Sequence, residues 1–282
     1  MNLLMYDVNK EQRERNLPEN ERRTVVMKKM ISLILVLALA LCMVPVFAEE
    51  EAAEEEVSEL ALMTYAEYAE AELDAPVYVE TYVQATQSWW DDKITVYAQN
   101  EEGACFIYNM ACSKEDAEKL VPGTKIAVKG YKAEWSGEVE ITEATFEFVD
   151  ADPFIAEAED IGAILGTDDL IEAMNKKIAI KGAKVVPYTT DGAEINEEIP
   201  FAYDWDNSGS RDKNGVGADL YFKVEVNGAA YTMTVESYLC NNETDAYKAV
   251  EALKVGDVID LEGFLYWYNG ANPHITKVVP AA

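Results

Sequence analysis

Leu120-Val121-Pro122-Gly123, Gly130 and Trp135-Ser136-Gly137 form a pattern that the chain writes again as Leu253-Lys254-Val255-Gly256, Gly263 and Trp267-Tyr268-Asn269-Gly270. In both copies the glycines stand seven residues apart, and the second copy follows the first by 133 positions. A fixed offset of this kind marks a duplicated folding unit.

Around the first copy, Val77, Val79, Thr81 and Val83 alternate with Tyr78, Glu80, Tyr82 and Gln84, the period of a strand. Ahead of it, Thr64-Tyr65-Ala66-Glu67 is a capping box that starts a short helix. Ile94 to Tyr97 and Cys105 to Met110 are expected as strands, Ser113 to Leu120 as a helix, and Lys125 to Glu134 and Val139 to Phe148 as two more strands. The second copy repeats this order with longer insertions. Thr167 caps a leading helix to Asn175; strands follow at Ile178 to Val185, Asp219 to Val226 and Ala230 to Ser237, with a hairpin turn at Asn227-Gly228. A helix near Glu243 to Leu253 then precedes strands at Val258 to Tyr268 and His274 to Val279.

Three strands, a helix and two strands, with an apolar-x-x-Gly entry to the fourth strand and a glycine seven residues on, resemble the OB-fold, in particular bacterial exported tandem OB-fold proteins. The resemblance implies a mostly β chain of two tandem five-stranded OB-fold-like barrels, each with a leading helix and a short helix between strands three and four. Domain 1 is expected at residues 63–149, a linker containing Pro153 at 150–166, and domain 2 at 167–282.

The resemblance also implies a ligand face on strands two and three and on the loops joining strands one to two and four to five. Every tryptophan falls in or beside those loops: Trp89, Trp90 and Trp135 in the first domain, Trp205 and Trp267 in the second. They are the candidate ligand-binding residues, as flat stacking surfaces; the competing reading of Trp135 and Trp267 is that they close the barrel mouths. Trp89 and Trp90 are adjacent, so on a strand they point to opposite faces and at least one is exposed.

The amino terminus reads as an export signal. Lys28 and Lys29 precede an apolar stretch from Ile31 to Met43, and Val46-Phe47-Ala48 ends in residues suited to signal peptidase, which makes 27–48 the signal peptide. Lipid attachment at Cys42 ranks second because Leu41 is large. Residues 1–26 read as an extension from a misassigned start, with Arg22-Arg23 fitting the codons of a ribosome-binding site. Residues 49–62 form an acidic spacer. Export places the protein outside the cell or in its envelope, with no membrane-spanning segment after cleavage.

The full chain carries a net charge of −30, and removal of residues 1–48 takes away seven basic and five acidic residues, leaving −32. Such a field repels phosphate backbones and attracts cations and basic partners. Stacking aromatics with Lys93 and Lys132 as the only nearby cations, against Asp91, Asp92, Glu134 and Glu138, favour an oligosaccharide over single-stranded nucleic acid. The other function class is an envelope protein whose loops meet a basic protein partner.

Asp204, Asp206, Ser208, Ser210 and Asp212, with Gly209 at the sixth place, follow the spacing of a calcium loop, although Gly215 stands where the closing carboxylate belongs. Calcium is therefore the one candidate cofactor. Cys105, Cys112 and Cys240 are an odd number, and Cys112 and Cys240, which hold matching places in the two copies, are expected as small buried thiols or as a disulfide between domains. No nucleophile motif is present, and His274, the only histidine, opens a last strand at a barrel edge. The chain is expected not to be an enzyme.

Overall fold

The computed structural model describes residues 60–189, 199–209, 211 and 215–281. The extension 1–26, the signal peptide 27–48 and nearly all of the spacer 49–62 lie outside them, as do Ser210 and Asp212.

The first barrel is built from β1 (Pro76–Thr86), β2 (Lys93–Gln99), β3 (Ala104–Ala111), β4 (Lys125–Trp135) and β5 (Glu138–Phe148), closed in the order β1-β2-β3-β5-β4. Helix α1 (Tyr65–Glu70) precedes it and α2 (Lys114–Ala117) joins β3 to β4. The Thr64 capping box forms as the sequence predicts: Thr64 accepts from the Glu67 amide while the Glu67 carboxylate accepts from the Thr64 amide.

In the second barrel β7 (Lys177–Val186), β9 (Leu220–Val226), β10 (Ala229–Val235), β11 (Val258–Trp267) and β12 (Ala271–Pro280) close through the β7–β9 pairing, with α3 (Asp245–Glu251) between β10 and β11. Each barrel shuts with one parallel pair, β3 on β5 and β10 on β12. This is the OB-fold arrangement, twice. Short strands β6 (Glu159–Asp160) and β8 (Phe201–Tyr203) extend the second sheet. β6 arises within the expected linker, where it pairs with β7, and Ala156, Ile161 and Leu165 are buried. The helix expected after Thr167 is a 3-10 turn, Asp168–Ala173, which the Thr167 side chain does not cap because its hydroxyl donates back to the Ile164 carbonyl at 2.9 Å.

The repeated glycines have a packing cause. Gly123 and Gly256 sit at φ +94 and +95, which a side chain rarely adopts, where the chain turns into β4 and β11. Gly130 and Gly263 lie where those strands bend across their partners: a Cβ on Gly130 would stand 2.7 Å from the Thr142 carbonyl, and one on Gly263 would collide with the His274 carbonyl. Ladder register shifts beside both.

Inside barrel 1 pack Val77, Val83, Val96, Ile107, Ile126 and Ile141; inside barrel 2, Ile178, Ile180, Leu220, Phe222, Met233 and Ile275. Cys105, Cys112 and Cys240 are buried and free, in keeping with the small-core-residue reading. Both barrels belong to one compact unit, Glu56–Ala282. Among the described residues no helix is long and apolar enough to cross a membrane.

Candidate ligand groove between the barrels

Strands β2 and β3 are buried on both faces. Ile94, Val96, Ala98, Cys105 and Ile107 fill the barrel, while Tyr97 and Phe106 point outward into a separate cluster with Phe264 of β11, flanked by Tyr108 and Tyr266. Tyr97 packs on Phe264 with ring centroids 4.7 Å apart, and Phe106 on Tyr266 at 5.2 Å. Aromatic pairs of this kind contribute about 0.5–1.5 kcal/mol each beyond their buried area. The strand face that the OB-fold resemblance assigns to a ligand in barrel 1 is thus covered by barrel 2.

His274 lies in this junction rather than at a free edge. Its Nδ1 is 2.7 Å from the Tyr97 hydroxyl, its ring stacks on Tyr266 at 4.5 Å, and burial pushes its pKa down to about 3. It is therefore neutral at ordinary pH.

The tryptophans divide into two groups. Trp135 and Trp267, expected either as stacking surfaces or as closures of the barrel mouths, are half-buried where the two late hairpins meet. The Trp135 ring contacts Tyr268 at 5.1 Å, and the Trp267 indole stands 2.8 Å from where a Cβ on Gly137 would be. The Asn269 amide donates to the Ser136 carbonyl at 2.7 Å. Those hairpins are each other's cover, a relation between residues far apart in sequence.

Trp89 is half-buried against the first core and its Nε1 donates to the Cys112 carbonyl at 2.8 Å. Trp90 is 61% exposed, projected by a tight turn in which Asp91 and Asp92 both take positive φ. Trp205 is 56% exposed, with the Arg211 guanidinium 5.4 Å from its ring centroid. Lys132, which the sequence offers as a cation near the aromatics, is buried: its ammonium donates to the carbonyls of Tyr68, Ala69 and Ala71 at the end of α1.

The acidic loop already holds a cation of its own. Arg211 grips the Asp206 carboxylate at 3.1 and 3.3 Å and lies 3.8 Å from Asp204, whose Oδ2 also accepts from the Arg211 amide and the Ser208 hydroxyl. Hydrogen bonds from Arg211 and then Ser208 hold the Asp206 carboxyl down at about 2. Among the described residues no group of three or more His, Cys, Asp or Glu is placed to hold a metal ion.

What the fold does build is a groove of about 510 Å³, within the range of small-ligand sites, between the β1–β2 loop of barrel 1 and the segment following β10 in barrel 2. Gln87, Ser88 and Trp89 form one wall, Tyr238, Leu239 and Asn241 the other, and Lys114 and Glu118 of the α2 region reach it from the side. Ser88 fastens the walls, donating to the Tyr238 carbonyl from its amide at 2.7 Å and its hydroxyl at 3.1 Å. The Glu236 carboxylate accepts the Tyr238 and Leu239 amides at 3.1 and 2.8 Å, and burial with Asp219 nearby pushes its pKa up to about 7.

Sequence reasoning misses the Tyr238–Asn241 wall, yet the repeat carries a signal for it. Only Cys112 separates β3 from the helix cap Ser113, whereas residues 236–243 separate β10 from the equivalent cap Thr244. The insertion is the groove wall.

No family model matches the sequence, and neither does any curated protein. Solved structures similar to the chain include a tetrameric p202 HIN2, at 12% identity and a TM-score of 0.31, covering 74% of this chain and 96% of that one. A murine DNA-binding protein bound to double-stranded DNA has 12% identity and a TM-score of 0.32, over 73% and 100%. An Ifi202 HINa domain in complex with double-stranded DNA has 15% identity and a TM-score of 0.30, over 73% and 95%.

Proposed function

We propose that this chain is a non-catalytic binding module that holds an oligosaccharide in the groove between its two barrels, and that residues 27–48 export it to the cell envelope or exterior. One observation carries the ligand reading: the groove joins the aromatic side chains of Trp89 and Tyr238 to the uncharged polar side chains of Gln87, Ser88 and Asn241. Lys114 and Glu118 balance one another in charge. Hydroxyl-rich ligands need such donors and acceptors with flat apolar faces between them, and need no excess of cations. Phosphate backbones do need that excess. Exposed Trp90 extends the same loop as a further stacking surface.

The test is titration of the mature protein with oligosaccharides and with single- and double-stranded oligonucleotides, following tryptophan fluorescence at low and high salt. Saturable binding of one sugar class, insensitive to salt and lost in Tyr238→Ala, supports the proposal. Nucleic acid is the second arm because similar solved structures are DNA complexes. Salt-dependent oligonucleotide binding with no sugar response would overturn the oligosaccharide reading.

A further inference from the structure

A second cavity, of about 360 Å³, opens in barrel 1 where β5 leaves the core. Ala144, Phe146 and Phe148 alternate along one face of β5, and burial falls along them: Ala144 is inside, Phe146 packs on the core from its edge, and Phe148 is 42% exposed. The two phenylalanine rings stand edge to face at 5.2 Å and form the apolar side of the cavity. An open aromatic ring is thus set into a concave surface.

The other side is polar and carries Ser113, Asp116 and Thr145. The Asp116 carboxylate accepts from the Ser113 hydroxyl at 2.8 Å and from the Lys119 ammonium at 2.9 Å. Hydrogen bonds from Lys119 and then Ser113 hold that carboxyl below its usual range, so at neutral pH it is an acceptor with lone pairs to spare. Lys119, 5.9 Å from the Phe148 ring centroid, is committed to Glu115 as well as Asp116. Its charge is therefore matched, and the cavity offers no surplus cation for a phosphate. Thr145 is exposed, and its hydroxyl has no hydrogen-bond partner among the described residues.

This cavity and the groove share the short helix α2. Lys114, Ala117 and Glu118 face the groove, and Ser113 and Asp116 face the second cavity. Ser113 and Lys114 are neighbours in the chain, as are Asp116 and Ala117, so the two walls lie about 3.8 Å apart from Cα to Cα. Trp89 of the groove also donates from Nε1 to the carbonyl of Cys112, which lines the second cavity. Where the two faces of α2 adjoin, Ala117 presents only a methyl group.

We propose that the second cavity is a further saccharide subsite, and that a linear, uncharged oligosaccharide seated in the groove continues across α2 to stack a sugar ring on Phe148 with its hydroxyls on Asp116 and Thr145. This rests on the oligosaccharide reading of the groove and adds to it a ligand longer than the groove itself. Stacking face, ionised acceptor and free hydroxyl are the groups that such a ring requires.

The test is a titration of the protein with neutral cello-oligosaccharides and N-acetylated chito-oligosaccharides, from disaccharide to octasaccharide. Affinity is expected to rise about tenfold between members that fill only the groove and those long enough to reach Phe148. Phe148→Ala should return the long members to the affinity of the short ones without changing the latter, and Thr145→Val should act in the same direction to a smaller extent. Backbone amide resonances of Thr145 and Phe148 should shift with long members only. Affinity independent of length, or long-member binding unaltered in both variants, would overturn the subsite while leaving the groove reading in place, provided that Tyr238→Ala still abolishes binding. No binding at any length would overturn the groove reading and the subsite with it. Should Phe148→Ala not fold, Thr145→Val and the amide shifts decide.

Discussion

Tyr97 of the first barrel and His274 of the second, 177 residues apart in sequence, share a 2.7 Å hydrogen bond inside the junction. Both groups are buried, and the Tyr97 hydroxyl also bonds the Gln87 side chain. Tyr97→Phe keeps the ring packing and leaves the His274 Nδ1 without its partner. It is expected to cost about 1–3 kcal/mol in urea denaturation, and retention of full stability would mean the bond is not formed.

His274 also gives an acid-side signature. Unfolded histidine takes up a proton near 6.5, whereas the buried ring resists until about 3, so its contribution is full above 6.5 and is lost as pH falls through that window. His274→Phe should therefore lose less stability than the wild type on acidification, as measured by melting curves across the window.

Gly263→Ala is expected to destabilise the second barrel by about 3 kcal/mol, because the added methyl meets the His274 carbonyl and the Ile275 Cα on the neighbouring strand. Gly228→Ala provides the contrast: nothing lies within 4 Å of its added carbon, so the cost is conformational alone. Equal losses in both would remove the close-approach account of the repeated glycines.

Lys132→Met keeps the apolar stem and removes three charge-assisted hydrogen bonds from the end of α1. A loss of about 2 kcal/mol is expected, with amide exchange accelerated in the Tyr65–Glu70 helix before the barrel strands.

Calcium at extracellular levels is expected to leave the melting temperature unchanged, since Arg211 already neutralises Asp206 and approaches Asp204. A calcium-dependent rise would show that the ion displaces the guanidinium.

The duplicated OB topology was legible in the sequence because its determinants are local. Gly123 and Gly256 need positive φ, the Thr64 box caps its own helix, and the Asn227-Gly228 turn adopts positive φ at both residues. Alternation along Val77 to Val83 reports which side of β1 faces a core. That at least one of Trp89 and Trp90 is exposed likewise follows from their adjacency, and the structure shows it to be Trp90.

Only the tertiary structure decided what covers the outward faces. Periodicity shows that a side chain is apolar and which way it points, but not whether water, a ligand or another barrel lies opposite. Cys105-Phe106-Ile107-Tyr108 does break alternation, the trace of a strand buried on both sides, yet nothing local identifies Phe264 and Tyr266 as its cover. The Ser88–Tyr238 contact that closes the groove spans 150 residues, and Trp135, Trp267, Glu138 and Asn175 acquire their partners only when the two barrels meet. Backbone conformation and amphipathic period are encoded by neighbours in the chain, whereas the burial of a tyrosine, a histidine or a carboxyl is set by which distant surface excludes water from it.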